Sequence, residues 1–109
     1  DRRGIAHVDE VYGENAESVE AVIPPGRDVR IVRGRDAIKA KREDWLATHE
    51  IHWLEADGPY VHPPNRFGVH YAVEVTQKAT GKRMTLREIA VYSIEYDKIV
   101  REEFFMLPK

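Results

Sequence analysis

The chain contains no cysteine and only two methionines among its 109 residues. The missing cysteine excludes a disulfide framework, a thiolate metal site and a thiol nucleophile. No apolar run approaches the roughly 18 residues that a membrane-spanning helix needs, and no secretory leader pattern is present. The sequence also lacks a surplus of either charge: 17 basic and 19 acidic side chains leave a formal net charge of −2. A dedicated nucleic-acid binder usually carries a basic footprint, so this balance argues against one. There is no phosphate-binding glycine loop, dinucleotide fingerprint or serine nucleophile motif. What remains is globular composition: 42% hydrophobic and 33% charged residues, too apolar for a disordered chain. The length suits one domain over residues 1–109 with a single core, and a cytoplasmic setting is expected.

The patterning divides the chain into a helical first half and an extended second half. Ile5, Val8, Val11 and Tyr12 recur at helical spacing before Gly13, which predicts a short helix over 5–12. Val19–Ile23 and Val29–Val32 read as short strands, and IPPGRD (Ile23–Asp28) as the loop between them. A second helix is expected over Asp36–Thr48, with Ile38, Trp45 and Leu46 on one stripe and Lys39, Lys41, Arg42 and Glu43 covering the solvated remainder. From there the period becomes two. Ile51–Glu55, Phe67–Thr76, Met84–Ile94 and Ile99–Leu107 read as strands, with DGPYVHPPN (Asp57–Asn65) as a loop. Lys78–Lys82 would close one hairpin and Glu95-Tyr96-Asp97 the next, as a three-residue turn. The expected class is α+β: a curved antiparallel sheet wrapped around helices that pack across its concave side.

The residues in this order resemble the nuclear-transport-factor-2-like superfamily, and within it the SnoaL-like proteins. VYGENA (Val11–Ala16) is similar to the end of the family's helix. IPPG (Ile23–Gly26) followed by VRGRDAI (Val32–Ile38) is similar to its proline loop and second helix start. TGKRMTLR (Thr80–Arg87) and DKIVREEFF (Asp97–Phe105) are similar to its later hairpin and closing strand. The resemblance implies a cone-shaped cavity between sheet and helices, and an additional N-terminal helix that this chain, beginning at Asp1, would lack. Apolar surface would then be exposed. Members of such a fold include isomerases, dehydratases, cyclases and non-catalytic proteins, so the fold alone does not assign a reaction. The ketosteroid isomerases of the superfamily place a carboxylate base where this chain has Ile23, and a second acid where it has Ala90. Neither side chain can hold a proton, so that reaction does not carry over.

Geometry supplies another candidate set. On the third long strand Leu86, Glu88, Ala90 and Tyr92 share one face by the two-residue period. A three-residue turn would pair Ala90 with Glu102 and Glu88 with Phe104, bringing Glu102, Phe104 and Met106 to the same face. Trp53 and Tyr71 are expected to complete the ligand-binding wall with Leu86, Ala90, Phe104 and Met106. Glu88 and Glu102, in an apolar cavity, would repel and lose hydration, raising at least one pKa, so that one could serve as base and the other as acid, with Tyr92 as the third catalytic candidate. The structural alternative is that Glu88 pairs with Arg83, Arg87 or Arg101 and that Glu102 is solvated at an open rim.

The histidines are less telling. His49 and His52 sit three apart, but on an expected strand and without a third ligand, so no metal is expected. His62 is expected at the surface. His70 faces outward if Val69, Tyr71, Val73 and Val75 line the cavity, and inward in the opposite register. No cofactor is expected. The expected partners are a small apolar molecule and a second copy of the chain, packed through the outward sheet face of Ala72, Glu74, Ile89 and Val91. The first reading is a small-molecule-binding domain. An isomerase-, dehydratase- or cyclase-type enzyme using Glu88 or Glu102 is one rival, and a protein-interaction module with a filled cavity is another.

Overall fold

The structure is a computed structural model that describes residues 5–20 and 30–107, with side chains from Val8 onward in the first segment. Among the described residues two helices and six strands follow in the order α1 (Ile5–Val11), β1 (Tyr12–Glu20), β2 (Ile31–Arg33), α2 (Arg35–Thr48), β3 (His49–His62), β4 (Arg66–Gln77), β5 (Lys82–Glu95) and β6 (Lys98–Met106). All six strands form one curved sheet in the order β2-β1-β6-β5-β4-β3. The proline loop from Ile23 to Asp28 lies outside the described residues, as does the side chain of His7.

The sheet is mixed rather than wholly antiparallel, because β1 runs parallel to β6. Tight turns join β4 to β5 and β5 to β6 and force each pair to be antiparallel. The β1–β6 pair is closed by nearly the whole chain, and no turn constrains its direction. The first helix gives way to strand at Tyr12, one residue earlier than its pattern suggests, and β1 begins well before Val19. The segment GENAES has poor strand propensity; its extended form is imposed by β6 on one side and β2 on the other.

The expected 57–65 loop is largely strand. β3 continues to His62 opposite Arg66, with a register shift between Asp57 and Tyr60. That irregularity absorbs Gly58 and Pro59. Proline is tolerated here because β3 is the sheet edge and need not donate on its open side.

The last hairpin has two turn residues rather than three. Glu95 pairs with Lys98, and Tyr96 and Asp97 both take positive φ, 51° and 64°. This is the geometry whose twist matches the flanking strands. A second shift between Ser93 and Ile94 then sets Tyr92 opposite Glu102, Ala90 opposite Phe104 and Glu88 opposite Met106. The pairing differs from expectation by two residues. Two is one full strand period, so every side chain keeps the expected face.

The core lies between the helices and the β1 end of the sheet: Val8, Tyr12, Ala16 and Ile38 are buried together, with Val11, Val32 and Ile99 packed against them. Gly34 precedes α2 with φ 94°, a conformation that favours glycine, and its carbonyl accepts from Ile38 N at 3.1 Å. Further along the sheet Val73 and Val75 are buried, whereas Ile51, Leu54 and Val61 of edge strand β3 remain exposed.

Candidate functional site

Cross-strand neighbours share a face, so the register defines the concave wall. Leu86 faces Val73, Glu88 faces Tyr71, Ala90 faces Val69 and Tyr92 faces Phe67. On the other side Tyr92 meets Glu102, Ala90 meets Phe104 and Glu88 meets Met106. Beyond β6, Ser18 lies beside Glu102 and Glu20 beside Phe104. One face thus collects Glu88, Glu102, Tyr92, Tyr71, Leu86, Ala90, Phe104 and Met106. Trp53 is not among them. It pairs with Glu74 and donates its indole N–H to that carboxylate at 2.8 Å. Glu74 is on the opposite parity of β4 from Tyr71, so Trp53 belongs to the outward face. The shift between Ile51 and Trp53 is what reverses it. His70, opposite Ile89, also lies on the outward face.

Glu102 is 2% exposed, far from a solvated rim. One oxygen accepts from the Tyr12 hydroxyl, and the other accepts from Ser18 Oγ at 2.6 Å. Ser18 in turn accepts from Lys41 Nζ at 2.7 Å, and Lys41 also meets Glu20 Oε1 at 2.6 Å. The ammonium lies 5.0 Å from the centre of the Phe104 ring. A buried charge requires such pairing. With both oxygens engaged, Glu102 is suited to holding Tyr12 and Ser18 in place.

Glu88 is in the contrasting position. It is half-buried and makes no hydrogen bond or ion pair with Arg83, Arg87, Arg101 or any other described residue. Burial, reinforced by the charges of Glu20 and Glu102 and opposed by that of Lys41, pushes its pKa up to about 7. A carboxyl that changes charge near neutrality can either give or take a proton. The Tyr92 hydroxyl lies 3.0 Å from that of Tyr71. Burial and this contact hold the Tyr92 pKa well above its ordinary value. Tyr12 is raised likewise, by burial and then by the neighbouring Glu102. Both tyrosines therefore stay protonated as donors at neutral pH.

A cleft of about 330 Å³ opens on this face, lined by Val11, Tyr12, Arg42, Phe67, Tyr71, Tyr92 and Ile99. Among the described residues its walls combine aromatic and aliphatic side chains with phenolic hydroxyls and the Arg42 guanidinium. The Arg42 guanidinium also acts on Tyr12, drawing its pKa down against the upward pull of burial and Glu102. Arg42, Lys41, Ser18 and Tyr12 are site residues that the sequence pattern did not single out. The helical wheel contained a usable signal. Lys41, Arg42 and Trp45 follow the buried Ile38 by three, four and seven residues, so they flank the stripe that faces the sheet. Their charge had assigned Lys41 and Arg42 to the solvated side.

The two histidines in THEIHW serve local structure. His49 stacks on Trp45 with ring centres 4.5 Å apart, and His52 Nε2 meets Thr76 Oγ1 at 2.7 Å. Among the described residues no group of three or more His, Asp or Glu side chains is placed to hold a metal ion, and no helix is long and apolar enough to cross a membrane.

A family model for the SnoaL-like domain matches residues 4–106. A protein from Mesorhizobium loti, provisionally described as a SnoaL-like polyketide cyclase, superimposes with a TM-score of 0.83 at 30% identity, over 92% of this chain and 82% of that one. A protein from Bacillus subtilis, provisionally described as an isomerase, gives a TM-score of 0.82 at 18% identity, over 98% and 77% of the two chains. An NTF2-like protein of unknown function from Burkholderia pseudomallei gives 0.73 at 19% identity, over 97% and 80%. The latter two likenesses concern the fold alone. No curated protein sequence matches the chain.

Proposed function

The chain belongs to the SnoaL-like domain family, and on that premise we propose that it binds a small, largely apolar molecule in the cleft between Arg42 and the tyrosines. The observation that carries this reading is the composition of the cleft. Among the described lining residues, aromatic and aliphatic side chains stand beside Arg42 and the Tyr71–Tyr92 hydroxyl pair. Few polar groups in an apolar recess orient a ligand without costing its apolar contacts. An interaction module would instead fill this space with its own side chains. The aromatic anion 8-anilinonaphthalene-1-sulfonate is a suitable probe. Saturable one-to-one fluorescence enhancement, weakened at least tenfold by Arg42→Gln, supports the reading. Absence of saturable binding, or indifference to Arg42→Gln, overturns it.

A specific observation favours a second reading, acid–base catalysis. Glu88 is pushed up to about 7 and stands across the strand pair from Tyr71, which lines the cleft. In this reading Glu88 transfers the proton, Tyr92 donates to the developing oxyanion, and Glu102 positions Tyr12. The M. loti and B. subtilis proteins are described as a cyclase and an isomerase, reactions within reach of such a pair. Glu88→Gln should lower kcat by at least about 100-fold with little change in KM. Unchanged turnover of an identified substrate excludes this role. A homodimer through the outward face of Ala72, Glu74, Ile89 and Val91 is part of the proposal, and light scattering that gives a monomer mass refutes it.

A further inference from the structure

A second recess of about 260 Å³ lies beside the first and is lined, among the described residues, chiefly by Pro59, Val61, Pro64, Phe67 and Ile94. Phe67 belongs to both linings. The strand register gives the reason. Phe67 stands on β4 between Val61 of β3 and Tyr92 of β5, and directly opposed residues share a face. Val61 lines the outer recess and Tyr92 the inner cleft, so the Phe67 side chain lies on the boundary between them. The ring is also held there. It stacks on Tyr92, with centres 4.9 Å apart and planes 21° from parallel, an arrangement that aromatic pairs favour. Its backbone is bonded to a neighbouring strand on each side, because β4 is an interior strand of the sheet.

We propose that Phe67 is the specificity-determining residue of this cleft. Its ring is an end wall that admits a compact, ring-bearing ligand and stops one whose chain runs on toward Val61. This proposal rests on the reading of the inner cleft as a ligand site and goes beyond it by naming what limits ligand length. The ligand carries a ring because Tyr12, Tyr71, Tyr92 and Phe67 offer it aromatic surface. A ligand that grows past the wall has to push the Phe67 ring off Tyr92, and overfilling a packed site is unfavourable. Without the ring the two recesses become one apolar channel. The same chain then buries its methylenes against the prolines and against Val61, which is 72% exposed.

Isothermal titration with 4-methylphenol, 4-butylphenol and 4-octylphenol tests it. In the parent protein 4-octylphenol should bind about tenfold or more weaker than 4-butylphenol. In Phe67→Ala the order should reverse, with each methylene that enters the outer recess tightening binding by up to about fourfold. Phe67→Leu keeps an apolar side chain without the ring and should shift the order in the same direction, so it carries the test if the alanine protein does not fold. Val61→Gln, on an exposed edge strand, should leave the parent affinities unchanged, because the ligand stops short of it. In the Phe67→Ala background Val61→Gln should remove most of the gain for 4-octylphenol. A parent protein that binds 4-octylphenol tighter than 4-butylphenol overturns the end wall. So does a parent order that survives loss of the ring, or a Val61→Gln protein that binds 4-octylphenol more weakly than the parent does. Failure of all three phenols to bind overturns the ring-bearing ligand class. The inner cleft as a ligand site is judged separately by the fluorescent probe, so the two failures are distinguishable.

Discussion

Replacing Glu88 by glutamine removes one titrating proton while keeping size and shape. In the folded protein the Glu88 pKa moves from 4.5 to about 7, with burial as the main cause. The native state therefore holds the Glu88 proton more tightly than the unfolded chain does. Between pH 4.5 and 7 the native state binds more protons, so the Glu88 contribution makes stability fall as pH rises. It levels off above pH 7. A difference of this size corresponds to about 3 kcal/mol at most, and water reaching the half-buried carboxyl reduces it to about 1–3 kcal/mol. Urea unfolding at pH 5 and pH 8 measures it. With a slope of about 1–2 kcal/mol per molar, the Glu88→Gln midpoint should rise relative to the parent by roughly 1 M more at pH 8 than at pH 5. Lys41→Met supplies an independent arm, because the Lys41 charge opposes the upward shift. The carbon-13 titration midpoint of the Glu88 carboxyl should move higher in that variant. An equal Glu88→Gln effect at both pH values, or a parent midpoint near 4.5, would refute the reasoning.

Glu102→Ala should cost about 2–4 kcal/mol, because it leaves the buried Tyr12 and Ser18 hydroxyls without their acceptor. That corresponds to a fall in Tm of roughly 10 °C or more, and a calorimetric loss below about 3 °C would contradict the burial of this network. Tyr96→Asn should do the opposite. Tyr96 is 98% exposed at φ 51°, so asparagine loses no packing and relieves left-handed strain, raising stability by about 0.5–1 kcal/mol in thermal unfolding. A lowered Tm would show that the tyrosine ring makes a contribution of its own.

Local pattern determined much of this molecule. The helix around Ile38, the alternation of β4 and β5, and the positions of both hairpins follow from periods of 3.6 and 2, which depend only on neighbours along the chain. The period also made the concave face legible. Leu86, Glu88, Ala90 and Tyr92 must share a side whatever their partners are. For that reason a pairing that differs by two residues leaves Glu88, Glu102 and Tyr92 on one wall. Three things were decided only by tertiary structure. The parallel β1–β6 pair makes a strand of GENAES, a segment with little strand propensity of its own, and thereby sets Ser18 against Glu102. A bulge in β3 turns Trp53 outward to Glu74, which no alternation rule anticipates. The placement of α2 over the sheet carries Lys41 and Arg42 inward, where paired carboxylate and hydroxyl groups offset the loss of water. Charge marks a residue as solvated when only its neighbours in sequence are considered. Whether a partner waits across the sheet depends on contacts between segments far apart in the chain, and the site of this protein is built from such contacts.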